Sequence, residues 1–130
     1  MTKFTRHAPF AGAALLVVLA GCQSKPTAPA NDRAALATME RVALAASACW
    51  FKSGDPAFSA YRLAPELNSF SGRPRILAVP KASPESRPLL VVQAEGNPAR
   101  LEAFGPMMDG AAGSRIRQDV IRFANGDKRC

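Results

Sequence analysis

An apolar run from Ala11 to Ala20, interrupted only by Gly12, decides how much of this chain is free to fold. A membrane-spanning helix needs roughly 20 apolar residues, about twice what this run offers. Lys3, Arg6 and His7 precede it and give the chain a short positive beginning. A positive start followed by a short apolar stretch is the pattern of a secretory signal, which the mature protein loses. The folding unit is therefore expected downstream, and 130 residues allow one domain.

Leu19, Ala20, Gly21 and Cys22 close the apolar run. They resemble the lipobox of bacterial lipoproteins, in which an aliphatic residue, two small residues and a cysteine follow the apolar segment directly. Small residues let the peptidase approach the backbone beside the scissile bond, and the thiol carries diacylglycerol as a thioether. The resemblance covers residues 1–22 and matches at all four positions. It implies cleavage before Cys22, lipid on that cysteine, and a membrane as the first partner. Gln23 follows, where some bacteria place an aspartate to retain lipoproteins at the inner membrane. The resemblance thus implies an outer-membrane anchor, with the domain facing the periplasm. The expected organisation is a cleaved signal over 1–21, lipidated Cys22 and a flexible tether over 22–31, and one domain over 32–130.

Cleavage would take 21 residues from the 130 and leave 109. Lys3 and Arg6 would go with the signal, so the 17 basic side chains fall to 15 against 10 acids, a net +5. That charge favours anionic partners, and it also keeps a small domain soluble. With Cys22 assigned to lipid, Cys49 and Cys130 remain as an even pair in an oxidising compartment, where a disulfide persists. They enclose about 80 residues, and on the chain-entropy model closing a loop that long is worth roughly 4 kcal/mol.

Residues 23–31 are polar, small and broken by prolines, the composition of a tether. Asn31 or Asp32 can cap a first helix. Ala35, Leu36, Met39, Val42, Ala43, Ala46, Cys49 and Trp50 then recur on one helical face, opposite Arg33, Arg41 and Ala48. The spacing predicts a helix over roughly 32–50, with Leu44 misplaced on its polar side. Tyr61, Leu63 and Leu67 alternate with Arg62, Ala64 and Glu66, the period of a half-buried strand. Pro65 cannot donate to a ladder and predicts an edge position. Further strands are expected over 75–79, 89–95 and 99–104, separated by turns rich in glycine, serine and proline. Ile116, Val120, Phe123 and Ala124 form the buried stripe of a last helix, with Arg115, Asp119 and Arg122 on its other faces and Gly126 ending it. The expected fold is α+β: a helix, a four-strand antiparallel meander and a helix, with both helices on one face of the sheet.

The chemistry such a domain can perform is narrowed mainly by what it lacks. The single histidine, His7, belongs to the signal, so nothing downstream can form Ser-His or Cys-His pairs or a histidine zinc site. There is no Ser-x-x-Lys, Gly-x-Gly-x-x-Gly, phosphate loop or Cys-x-x-Cys, so neither a cofactor nor a bound metal is expected. An enzyme would have to rest on Glu66, Glu95 and Glu102 alone, and nothing in the sequence brings two of them together. Their plainer role is to keep a sheet soluble. Arg62, Arg73, Arg75, Arg87 and Arg100 all fall in or beside strands, and guanidinium forks grip carboxylates and phosphates. They are candidates for contact with an anionic envelope polymer or an acidic protein, although arginines also serve simply to solvate a surface. Nucleic acid is not an expected partner. Trp50, beside Cys49 on the apolar face, reads as core. Together these features predict a lipid-anchored, non-enzymatic structural or binding module, or alternatively an accessory subunit of an envelope assembly complex that docks through its sheet.

Overall fold

A computed structural model describes residues 30–130, with side chains from Arg33 onward. The apolar run, Cys22 and most of the expected tether lie outside these residues. Among the described residues no helix is long and apolar enough to cross a membrane.

The first helix, α1, spans Ala30–Ala46 and continues into a wider π-helical turn over Ser47–Lys52. It starts two residues earlier than the expected cap, inside the stretch read as tether. Alanine, which opens it, is the best helix former. The predicted stripe is the buried one: Ala35, Met39, Val42, Ala46, Cys49 and Trp50 are all buried. Leu44, the residue that broke the pattern, is 73% exposed.

A short 3₁₀ turn, Pro56–Phe58, leads to four strands: β1 (Tyr61–Glu66), β2 (Arg75–Pro80), β3 (Leu90–Glu95) and β4 (Arg100–Phe104). They lie side by side in sequence order, each antiparallel to the next. This is the predicted meander, with Pro65 on an edge strand where its missing N–H costs no ladder bond. A four-residue helix, α2 (Pro106–Asp109), precedes the last helix, α3 (Gly113–Ala124). Gly113 opens α3 because nothing larger fits: a Cβ there would lie 2.0 Å from the Met108 carbonyl oxygen. Gly126 follows α3 with φ +90°, the left-handed conformation expected of it.

The strands alternate, so one sheet face carries Leu63, Ile76, Ala78, Leu90, Val92, Ala94, Leu101 and Ala103 toward the helices. Met39, Val42, Trp50 and Phe58 from the first part of the chain, with Ile116, Val120 and Phe123 from α3, complete that core. The two helices contribute unequally to covering the sheet. α1 packs on β3 and β2, whereas α3 packs chiefly on α1. The reason lies at Asp119, read from the sequence as a residue of an outer face but found 8% exposed. Its carboxylate accepts the Trp50 indole N–H at 2.9 Å, which draws α3 onto the π-helical turn.

Chain direction sorts the loops into two ends. Only eight residues separate Lys52 from Tyr61, so β1 starts where α1 stops and runs back along it. Consistent with this, one groove is lined by Glu40, Ala43 and Ser47 on one side and by Leu63, Pro65 and Leu67 on the other. At one end lie the start of α1, the β1–β2 loop and the β3–β4 turn. At the other end Cys49 and Cys130 form a disulfide with Cα atoms 5.1 Å apart, closing a span of 81 residues.

Candidate functional site

The face of the sheet turned away from the helices gathers most of the candidate residues. Antiparallel register places Ala64, Leu77, Val91 and Phe104 in one row across all four strands. Val91 is buried and Leu77 half-buried, while Phe104 remains 48% exposed. Val79, opposite Arg62, is also buried, yet neither it nor Val91 belongs to the core cluster. The next row, two residues along each strand, is Glu66, Arg75, Gln93 and Glu102. Beyond it Glu95 stands opposite Arg100, next to Arg73.

These polar side chains pair among themselves. Arg75 Nε donates to Glu66 at 2.6 Å, and Gln93 Nε2 donates to Glu102 at 2.7 Å. Glu95 forms an ion pair with Arg73 at 2.9 Å and accepts a hydrogen bond from Arg100. The sheet therefore brings Arg73, Arg75 and Arg100 together and supplies each with a carboxylate. Arg62 sits on the same face toward the stapled end, and Arg87 lies apart in the loop after β2; both are exposed and neither joins an ion pair among the described residues. The three carboxylates considered for acid–base chemistry do share one face, each engaged by an arginine or a glutamine. Among the described residues no three His, Cys, Asp or Glu side chains group as metal ligands do.

A second polar cluster lies at the stapled end. Besides Trp50, Asp119 accepts from Arg122 at 2.7 Å, and Arg115 reaches both Asp119 at 3.5 Å and Asp55 at 2.8 Å. Asp55 also caps the 3₁₀ turn by accepting the Ala57 N–H at 2.9 Å. Asp127 takes the guanidinium of Arg129 at 2.9 Å and that of Arg122 at 3.1 Å. The Arg129 side chain, then its backbone N–H, hold the Asp127 carboxyl well below the usual carboxylate range. Trp50 itself stacks on Phe58 with centroids 4.8 Å apart and planes 4° from parallel. Every buried polar side-chain atom described has a hydrogen-bond partner. With all of these groups partnered, the cluster is a structural knot.

One exposed residue carried no sequence periodicity to announce it. Phe70 stands in the loop between β1 and β2 and is fully exposed, at 112% of its reference area. The available signal was its setting, an aromatic between two serines in a turn too short to bury it. Compared with known protein families, curated proteins and solved structures, the chain matches none of them.

Proposed function

We propose that this chain is an exported, non-enzymatic docking module, held at the periplasmic side of the outer membrane by lipid on Cys22, that engages an envelope protein through the outer face of its sheet. The observation that carries the reading is the Cys49–Cys130 disulfide, because such bonds persist in oxidising compartments and are rare where thiols are kept reduced. The sheet face supports the binding half. Its apolar row, ending in a half-exposed aromatic and bordered by mixed charges, has the apolar centre and polar rim of a protein interface. Arg73, Arg75 and Arg100 already hold carboxylates, so the face is nearer to charge balance than a polyanion grip would be. An anionic envelope polymer is the second reading, favoured by Arg62 and Arg87, which lack an acidic partner among the described residues.

Two measurements test this. Cys22→Ser should leave uncleaved precursor or release the protein to the soluble fraction; unchanged mass and detergent partitioning would remove the anchor. A photo-reactive phenylalanine analogue at Phe104 should capture a discrete protein in intact cells, and capture only as frequent as at exposed Lys52 would remove the docking face. For the polymer reading, Arg62→Gln with Arg100→Gln should keep the fold and lose retention on peptidoglycan or lipopolysaccharide; equal retention would reduce these arginines to solvating residues.

A further inference from the structure

The start of α1, the β1–β2 loop and the β3–β4 turn occupy the same end of the domain, and three observations there converge on one surface. Phe70 projects from the β1–β2 loop without burial. Arg73 and Arg100 flank that end, their side chains 50% and 75% exposed, and both share the single carboxylate of Glu95, so the trio keeps a positive charge. The chain leading back to Cys22 enters at this end, through Ala30. Eight peptide links join Cys22 to Ala30, a reach of at most about 28 Å. Ala30 lies ten residues before Glu40, hence about 15 Å further along the helix axis. Phe70 lies three residues beyond Leu67, hence within about 11 Å of it. Helix start and loop therefore lie toward the same end of the groove that Glu40 and Leu67 both line.

We infer that this end is a membrane-contacting foot: Phe70 inserts its ring among the acyl chains of the bilayer to which the chain is anchored, and Arg73 and Arg100 meet anionic headgroups. The inference rests on the proposed lipid anchor at Cys22. An aromatic ring belongs at the headgroup–acyl boundary with cationic side chains beside it. A single phenylalanine binds a bilayer too weakly to recruit a free protein. On a domain already tethered nearby, insertion becomes an intramolecular step at high effective concentration. The foot would hold the sheet upright, with its outer face turned sideways to the periplasm.

The full-length lipid-modified protein carrying Phe70→Trp is reconstituted into vesicles of phosphatidylethanolamine and phosphatidylglycerol with brominated acyl chains. Wild type serves as reference, since its only indole, Trp50, is buried. The introduced indole should emit further to the blue and be quenched by bromine well beyond the wild-type level, with quenching reduced when Arg73→Gln and Arg100→Gln are added. Flotation with the vesicles but no extra quenching overturns the foot and leaves the anchor standing. Failure to float removes the anchor and the foot with it. A blue shift seen only in whole envelopes, never in protein-free vesicles, assigns the tip to a protein partner and overturns insertion.

Discussion

Both ends of this domain hold a carboxylate between two arginines, and the arrangements at Asp119 and Glu95 do different work. At the stapled end Asp119, 8% exposed, lies between Arg115 and Arg122 and also receives the Trp50 indole N–H. At the opposite end Glu95 lies between Arg73 and Arg100, whose side chains are 50% and 75% exposed. The charges are alike; the surroundings are not. Taking Asp119 from its partners would strand the buried Trp50 indole N–H without an acceptor, whereas the more exposed arginines of Glu95 can turn to water. Ion pairs in this protein are structural where an aromatic core anchors them, and elsewhere they leave the surface adaptable.

The sharpest way to break that contrast is to remove the aromatic. Trp50→Ala should cost about 3–5 kcal/mol or more, since it opens a cavity against Phe58 and Phe123 and leaves Asp119 without its N–H donor. Urea unfolding followed by far-ultraviolet circular dichroism measures this, and a loss below 1 kcal/mol would show that the knot is not the core's keystone. Next come the cysteines. Cys49→Ala and Cys130→Ala should each cost about 2–4 kcal/mol, by similar amounts, and the double variant little more, because both act through one bond. Additive losses, or freely alkylated thiols in protein taken from its native compartment, would contradict the staple.

A matched pair of conservative changes then tests the comparison directly. Asp119→Asn should cost about 2 kcal/mol, and Glu95→Gln less than about 0.5 kcal/mol. Equal effects would erase the distinction between the two ends. The smallest effect expected is one of pH. Asp127 titrates below its ordinary range in the folded protein, so its stabilising contribution is complete above an unfolded carboxylate's pKa of about 4 and is lost as pH falls toward the folded value. Acid unfolding of Asp127→Asn should lack that component below pH of about 4, and superimposable acid profiles would count against the Arg129 contact.

The elements that repeat a period were legible in the sequence, and those set by distant contacts were not. The stripe from Ala35 to Trp50, the alternation in β1 and the stripe Ile116–Val120–Phe123 each reflect burial, and each element is where it was expected. The cysteine pair was legible once the lipobox resemblance had set Cys22 aside and left two cysteines. The π-helical turn was not, because its widening fits Trp50 between Phe58 and Phe123, which lie 8 and 73 positions away. Asp119 was assigned to the wrong face for a related reason: a charged residue inside a helical pattern reads as solvent-facing unless the N–H that buries it is known. The arginines were correctly placed near strands. Their pairing with Glu66 and Glu95 depends on strand register, which hydrophobic alternation leaves open until the loops fix it.

The staple also governs how the domain meets proteases. All four strands, α2 and α3 lie between Cys49 and Cys130, inside one covalent ring. A single cut in the exposed loop around Phe70, or between Lys81 and Pro88, opens that ring without releasing a fragment, and the nicked chain keeps both halves at hand to re-pair. With the anchor proposed at Cys22, cleavage ahead of α1 has the opposite outcome, since it would release the whole domain with its interior intact. Nicking inside the ring and cutting ahead of it are therefore separate events, decided by which side of Cys49 is cut.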